Sequence, residues 1–388
     1  MTKRNKKNQA EQIVQEEVQV VETPVEKTKK EQWEEFKIKS KQKYDVIMED
    51  LKNPVKKAVR RRKVGSKIVS ILRGFIFFGL SFVIFYPIFQ ELSVAFKNPI
   101  DLNNKLVNFI PENYSLFNVY ISAEVLDYWR SLWNNLQVSA ISTICQLFAT
   151  ALAGYALSRL KFRGSNIIFW IIMLTLIVPP QAVAMSRSFY LGNFDIFGFF
   201  ENLLGHSLKL KGEGRAIVFY LTSLTGQGIR SALFIFMFRQ FFRGIPVELE
   251  ESAQIDGAGV VRTFASVMLP NARGVITTVA LFAFVWQWND VYYTGLYEIS
   301  GNAFPMLTSK MITASERLQS LLDYIKMDLN HPYRDLVIGL GEGITKNPLF
   351  NQAILNTSAL MMLAPILIAY LFVQRLFIEG VERSGIVG

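Results

Sequence analysis

Cysteine, histidine and charge are all scarce in this sequence. It has one cysteine and two histidines among 388 residues, and 19% of the chain is charged against 51% apolar. Cys145 has no second thiol, so a disulfide framework, a cysteine zinc site and an iron–sulfur cluster are excluded. His206 and His331 lie outside any HExxH spacing, so no metal site is predicted. The apolar composition indicates a membrane protein rather than a water-soluble protein of two domains.

A nucleotide-binding loop and a cleavable signal peptide are also missing. No GxxxxGK(S/T) run occurs, so the chain is predicted to have no ATP site of its own. The first 60 residues are charged and contain no apolar core of a signal peptide. The segment before residue 28 is predicted to be disordered. Apolar residues at helical spacing over 31–62 predict an amphipathic helix, which lies on the membrane surface or packs on the bundle or a partner.

The formal net charge of +10 comes from one block. Residues 51–73 hold nine Lys and Arg residues and no acid, whereas residues 1–50 hold eleven of each sign. A basic block directly before the first apolar stretch is typical of the cytoplasmic side of a membrane protein. We therefore attribute the charge to topology and predict no nucleic-acid partner.

Six apolar stretches are long enough to approach the length of a membrane span. A bilayer core about 30 Å thick requires about 20 residues at about 1.5 Å per residue. Basic residues follow the second, fourth and sixth stretches, which places those ends and both chain termini in the cytoplasm. The predicted fold is an all-α polytopic membrane protein with six transmembrane helices. The stretches cover residues 74–90, 136–158, 166–186, 216–238, 274–297 and 353–374.

The cytoplasmic connection over 245–270 is too structured to be a simple linker. Pro246 suits the first position of a helix, and three glutamates follow in its first turns, where the helix dipole favours negative charge. Gly257 is predicted to end this helix with a positive φ. A second helical run, 260–268, ends at Leu269-Pro270. The segment is therefore predicted to be two short helices hinged at Gly257.

This connection resembles the EAA loop of ABC importer permeases. The matching residues are Glu251, Ser252, Ala253, Asp256, Gly257, Ala258, Leu269 and Pro270. Ser252 stands where that pattern usually has alanine. Residues 152–164, the run Trp288-Asn289-Asp290 and the tail over 379–388 are similar to the carbohydrate branch of these permeases, the maltose-type, MalG-like proteins. The resemblance covers residues 73–388.

The resemblance implies the type I, MetI-like permease fold and a division of the chain. Residues 1–66 would form a charged cytoplasmic extension, and residues 67–388 the permease domain, with a coupling loop over 245–270 and an extracytoplasmic loop over 298–352. The chain would be a transport subunit and not an enzyme, importing a sugar or oligosaccharide across the cell membrane of a prokaryote.

The same resemblance implies several partners. They are a second, homologous permease subunit, two ABC ATPase subunits, an extracytoplasmic solute-binding protein, the lipid bilayer and the sugar substrate. ATP and magnesium would be used by the ATPase subunits, so no cofactor is expected on this chain. The coupling-loop residues would dock on the ATPase, where small residues allow close approach.

A second group of residues is a candidate translocation path. Prolines inside a span kink the helix, which either lines a solute path or serves packing. Aromatic rings beside amide and carboxylate groups suit sugars, but they also form ordinary interfacial belts. Arg230, a charged residue within a span, should face the bundle, with Asp290 as its candidate partner. The alternative is that Arg230 lies in a wetter, irregular segment. The residues are Pro179, Pro180, Arg230, Trp286, Trp288, Asn289 and Asp290.

The main alternative function is a stand-alone secondary transporter or channel for a small polar solute. It would need ionisable residues inside the membrane, and Arg230 and Asp290 are the only candidates. An intramembrane enzyme would need a catalytic constellation that six nearly uncharged stretches do not offer. A scaffold would leave the hinged loop unexplained. Co-purification of an ATPase separates the importer from all of these.

Overall fold

The computed structural model describes residues 29–52, 54–103, 109–195, 198–341, 344 and 347–385. Regular structure in these ranges is helical, apart from two isolated antiparallel bridges, Lys97 with Tyr114 and Phe194 with Leu208. The prediction of an all-α fold is therefore confirmed. The segment predicted to be disordered and the last three residues of the glycine-ended tail lie outside the described residues.

The chain divides into two compact units, residues 1–84 and 85–388. Helix α1 (Lys29–Lys52) lies in the first unit and is followed by α2 (Pro54–Ala95), which continues past residue 84. The predicted amphipathic helix is therefore two helices, the second beginning at a proline. Trp33, Phe36 and Tyr44 on α1 are exposed. The predicted domain boundary between residues 66 and 67 falls within α2 and stays a prediction.

The second unit contains the remaining helices. They are α3 (Phe117–Leu126), α4 (Tyr128–Arg159), α5 (Ser165–Ile177), α6 (Ala184–Gly192), α7 (Phe199–Leu204), α8 (Ile217–Leu224), α9 (Ser231–Gly244), α10 (Glu248–Ile255), α11 (Val260–Thr263), α12 (Leu269–Asn271), α13 (Arg273–Trp288), α14 (Tyr292–Leu296), α15 (Leu307–Ile312), α16 (Ala314–Met327), α17 (Arg334–Gly339) and α18 (Pro348–Gly385). Single 3₁₀ turns cover Pro99–Asn103 and Pro180–Val183, and a π-helical turn covers Phe264–Met268.

The predicted membrane stretches differ in how continuous they are. Three helices, Gly65–Ala95, Tyr128–Arg159 and Pro348–Arg375, are long and apolar enough to cross a bilayer unaided. Two further candidates are bent pairs, so the described residues provide up to five spans by this measure. The fourth stretch is two helices, α8 and α9, separated by residues 225–230. Glycines at 226 and 228 favour that interruption, because they add backbone freedom and no packing surface.

The central core joins the second, fourth and fifth stretches. Phenylalanines of α9 pack between α4 and α13, and Gly154 of α4 lies so close to α9 that a Cβ there would be 2.5 Å from the Cβ of Phe238. Small residues allow such close helix crossings in membranes. The buried members of this cluster are Ala151, Tyr155, Phe234, Phe238, Phe242, Phe264, Met268, Ala272, Val275, Val279 and Ala283.

The predicted extracytoplasmic loop over 298–352 is not an extended loop. It contains α15, α16 and α17, and its apolar faces pack with α3 and the start of α18. Phe117, Leu322 and Phe350 are fully buried there. This segment is too polar to form a membrane span, which is why its composition indicated a connecting loop.

Large apolar side chains remain exposed on α2 and α5. Every residue in the apolar window of Gly65–Ala95 is unburied, and Trp170, Ile171 and Ile177 of α5 are exposed. Soluble monomers rarely present such surface. It is the surface expected of helices that face lipid or a partner subunit.

Candidate functional site

The hinged segment between α9 and α13 forms as its sequence predicts. Helix α10 carries three glutamates in its first turn and ends at Gly257, whose φ is +78°. The Ala258 N–H donates to the Ala253 carbonyl at 2.9 Å, and the Gly257 N–H donates to the Gln254 carbonyl at 3.0 Å. These two hydrogen bonds define a Schellman motif, which requires a left-handed residue at its centre. Glycine is therefore needed at 257 because of the positive φ and not because of crowding, since the space that a Cβ would occupy is open.

The outer surface of this segment combines carboxylates with bare apolar side chains. Glu251, Ser252, Asp256 and Gly257 are exposed, whereas Ala253 and Ala258 are half-buried. Two apolar side chains among them face outward, with Ile255 86% exposed and Val261 80% exposed. Exposed aliphatic groups rimmed by charges are typical of protein–protein contact sites. We call the surface formed by Glu251, Ile255, Asp256 and Val261 the coupling surface.

The second half of the segment is anchored in the bundle. Phe264 and Met268, in the π-helical turn after α11, are buried in the central core. The Phe264 ring lies 5.1 Å from the ring of Tyr155 on α4 and 6.2 Å from that of Phe242 on α9. Leu269 is half-buried and Pro270 is exposed. A displacement of the coupling surface must therefore move side chains packed between two spans, because cores do not deform freely.

A buried ion pair at the base of α10 was not predicted. The Arg159 Nε lies 3.6 Å from Glu250 Oε2, and the two side chains are 8% and 10% exposed. Arg159 also donates to the carbonyl of Phe242, at 3.0 Å from Nε and 2.6 Å from Nη2, and to the carbonyl of Ile245. One guanidinium thus joins the end of α4, the end of α9 and the start of α10. Sequence alone did not distinguish Glu250 from its neighbours, because all three glutamates suit the first turn.

The proline pair of the third stretch bends the chain sharply. Helices Ser165–Ile177 and Pro180–Gly192 meet at 100°, and both Pro179 and Pro180 are exposed. Proline removes a backbone hydrogen bond and cannot continue the helix, so the bend has a local cause. Whether these prolines line a solute path stays a prediction.

Arg230 lies in the interruption of the fourth stretch. It has a φ of +58° and directly precedes α9, so the alternative of an irregular segment is the one observed. Its guanidinium carbon lies 5.7 Å from the centre of the Trp286 ring. A non-glycine residue in this conformation costs about 1 kcal/mol, which the surrounding contacts must offset.

The suggested pairing of Arg230 with Asp290 is wrong. Asp290 is buried, and its carboxylate accepts hydrogen bonds from the Tyr293 and Thr294 N–H groups at 3.2 and 2.7 Å and from the Thr294 hydroxyl at 3.0 Å. It thereby caps α14, which begins two residues later. The carboxylate stabilises a helix start rather than a neighbouring cation.

Trp288 must be removed from the candidate path. Its side chain is 1% exposed and its indole N–H donates to the Met362 carbonyl at 3.3 Å. Packing between α13 and α18 explains it. Trp286 is half-buried, with rings of Phe234 and Phe282 stacked at 5.5 and 5.6 Å, and Asn289 is exposed. These two residues remain candidates for the path.

A buried glutamine stabilises the interruption between α8 and α9. Gln146 of α4 donates from Nε2 to the Ile229 carbonyl at 2.6 Å and to the Ser231 hydroxyl at 2.8 Å. Backbone carbonyls freed inside a membrane need such partners. Gln146 was not among the predicted residues, although an amide in an uncharged span is a recognisable signal. Among the described residues, no group of three His, Cys, Asp or Glu side chains could hold a metal ion.

Comparison with protein families gives one match that covers most of the chain. The profile of the family described as "Binding-protein-dependent transport system inner membrane component" matches residues 146–383. A solved structure of a bacterial ABC transporter involved in the import of the acidic polysaccharide alginate is similar in fold. Its TM-score is 0.52 at 20% identity, over 80% of this chain and 97% of that one.

Several curated proteins are similar over nearly their whole length. The arabinooligosaccharides transport system permease protein AraQ of Halalkalibacterium halodurans is 24% identical over 83% of this chain and 98% of its own. The maltodextrin transport system permease protein MalD of Streptococcus pneumoniae is 25% identical over 83% and 97%. The sn-glycerol-3-phosphate transport system permease protein UgpE of Escherichia coli K12 is 23% identical over 78% and 92%.

Proposed function

Because the chain belongs to the family of binding-protein-dependent transport system inner membrane components, we propose that it imports a sugar or oligosaccharide. The chain is a multi-pass permease subunit of an ABC importer in the cell membrane, and it is a transport subunit rather than an enzyme. Such a permease works with an ATPase and a solute-binding protein. The names of the similar proteins support a carbohydrate substrate, since AraQ and MalD are named for arabinooligosaccharides and maltodextrin.

The exposed residues of the coupling surface are the main support for a mechanism in which the ATPase drives the spans. The exposed side chains of Ile255 and Val261 would enter a groove on the ATPase, and Glu251 and Asp256 would form polar contacts at its rim. Force applied there would pass through Phe264 and Met268 into the core between α4, α9 and α13. The Arg159–Glu250 pair would keep α10 in a fixed orientation on the spans while this happens.

The exposed apolar surfaces support a finer proposal about the assembly. A second, homologous permease would cover part of the exposed apolar surface of α2 and α5, and two ATPase subunits would each bind one permease. Magnesium and ATP would bind on those ATPase subunits. The solute-binding protein would dock on the extracytoplasmic side, where α15 to α17 form a folded layer with its own core.

Purification of the tagged chain from its native membrane in mild detergent tests this proposal. Mass spectrometry should identify a second permease and an ATPase, and ATPase activity should rise with the binding protein and one saccharide. Ile255→Ser should remove the ATPase from the preparation. Ile312→Ser, which changes another exposed isoleucine outside the coupling surface, should retain it. Recovery of the chain alone, inert to ATP, would reject the importer.

A further inference from the structure

Two arginines lie on aromatic rings where the interrupted spans meet. The guanidinium of Arg187, on α6, lies 5.1 Å from the ring centre of Tyr293 and 5.7 Å from that of Tyr297. The guanidinium of Arg230 lies 5.7 Å from the ring centre of Trp286. Arg187 also donates to the carbonyl of Gln227, which lies three residues before Arg230. The two cations therefore belong to one cluster, to which α6, α9, α13 and α14 contribute.

This cluster is remote from the coupling surface. Helix α9 runs 14 residues from Arg230 to the cytoplasmic end of the fourth stretch, a length of about 21 Å. Trp286 similarly lies near the far end of α13. The arginines therefore lie in the extracytoplasmic half of the bundle, on the side from which a solute arrives.

The backbone around the cluster is held in place by polar contacts. Arg187 donates from Nη2 to the Gln227 carbonyl at 2.9 Å, which ties α6 to the interruption of the fourth stretch. Gln146 holds the other side of that interruption through the Ile229 carbonyl. Asp290 fixes the start of α14. A site held by such neighbouring contacts is preorganised for a ligand.

No carboxylate neutralises these arginines in the described part of the chain. The ion pairs there join other residues, and both oxygens of Asp290 already accept N–H groups of α14. Arg230 is exposed, and the described hydrogen bonds use none of its five N–H donors. Cations near the membrane core are costly unless an anion or water compensates them. Irregular backbone at this depth is likewise typical of a water-filled cavity.

We propose that Arg187, Arg230 and the rings of Trp286 and Tyr293 form an entry subsite for an anionic saccharide. Arg230 would bind a carboxylate or phosphate of the solute through paired N–H donors, while the Tyr293 and Trp286 rings hold the guanidinium groups of Arg187 and Arg230 in place. A neutral sugar would leave both charges uncompensated. This inference rests on the proposed function and narrows its substrate class.

The complete transporter, with its partner permease, ATPase and binding protein in lipid nanodiscs, provides the test. ATPase stimulation and uptake into proteoliposomes are measured with an oligouronate, a sugar phosphate and a neutral oligosaccharide of matched length. The wild type should respond to one of the two anionic compounds. Arg230→Gln should raise its half-saturating concentration about tenfold or more, as loss of a charge-assisted hydrogen bond does, and Arg230→Lys less. Arg243→Gln, on the cytoplasmic end of the same helix, is the matched control.

Each remaining outcome contradicts the inference in a distinct way. Stimulation of the wild type by the neutral oligosaccharide alone would overturn the anionic subsite but keep the importer. An equal response of Arg230→Gln and the wild type to the anionic compound would do the same. Loss of the second permease from Arg230→Gln would show that the arginine pairs with that subunit instead. Stimulation by none of the compounds would overturn the proposed sugar import together with the inference.

Discussion

Replacing Glu250 with glutamine removes one charge from the buried contact between α10 and the spans while keeping its size. Arg159 would lose its carboxylate at 3.6 Å but keep its hydrogen bonds to the carbonyls of Phe242 and Ile245. Glu251, the next residue, is exposed and has no such contact among the described interactions. The two adjacent carboxylates thus form a matched pair, one internal and one on the coupling surface.

The expected magnitude follows from the burial of the pair. Removing one partner of a buried ion pair costs about 3–5 kcal/mol when the other charge is left bare. The two remaining carbonyl acceptors of Arg159 reduce that cost, so we expect Glu250→Gln to lower the free energy of unfolding by about 2 kcal/mol. Glu251→Gln changes an exposed carboxylate and should stay within about 0.5 kcal/mol.

The assay compares stability and coupling in the same two variants. In detergent, Glu250→Gln should have a lower Tm than the wild type, and Glu251→Gln should have the same Tm as the wild type. In proteoliposomes, Glu250→Gln should keep its ATPase but transport less sugar per ATP, because α10 is no longer held firmly on the spans. Glu251→Gln should instead weaken retention of the ATPase. Identical behaviour of the two variants, or wild-type stability and coupling in Glu250→Gln, would refute the role of the Arg159 contact.

Three further substitutions test other features. Gly257→Val forces a β-branched residue to a φ of +78°, at a cost of about 2 kcal/mol. This variant should lose the ATPase in pull-downs yet still insert into the membrane. The control Gly259→Ala, at a φ of −73°, should assemble normally. Normal ATP-coupled uptake by Gly257→Val would contradict the hinge. Gly154→Ala brings a Cβ within 2.5 Å of the Phe238 Cβ and should lower stability by about 1–3 kcal/mol, measured as a fall in Tm; an unchanged Tm would show that the helices separate freely. Burial lowers the pKa of Lys310, so the folded state binds fewer protons than the unfolded one and stability should rise as pH increases towards the ordinary lysine pKa. Lys310→Met should raise Tm at neutral pH and remove that rise, and an unaltered pH profile of Tm would contradict it.

The sequence predicted what depends on local chemistry. Apolar length located the membrane stretches, and the glutamates and Gly257 located α10 and its end, because helix dipoles and positive φ values act on single residues. The hinge is therefore found at Gly257, where the positive φ requires a glycine. Proline chemistry likewise located the 100° bend of the third stretch.

Features that depend on contacts between distant segments could not be predicted in this way. Trp286 and Trp288 are two residues apart, yet one stacks beneath an arginine and the other is buried against α18. Glu250 differs from Glu251 only in what lies beside it, which is a residue about 90 positions earlier in the chain. Averaged hydrophobicity could not decide between a continuous fourth span and an irregular segment around Arg230, since the residues that flank 225–230 are apolar.

The length of helix α18 and the proline near its middle have a mechanical consequence. The helix is 38 residues long, or about 57 Å, nearly twice the thickness of the bilayer core of about 30 Å. Its first turns are embedded in the extracytoplasmic core through Phe350 and Ile354, and Pro365 lies near its midpoint. A tilt of about 5° about that midpoint would displace each end by about 2.5 Å. Because Pro365 removes a backbone hydrogen bond, the helix bends most easily at that midpoint, so its two halves can change direction relative to each other.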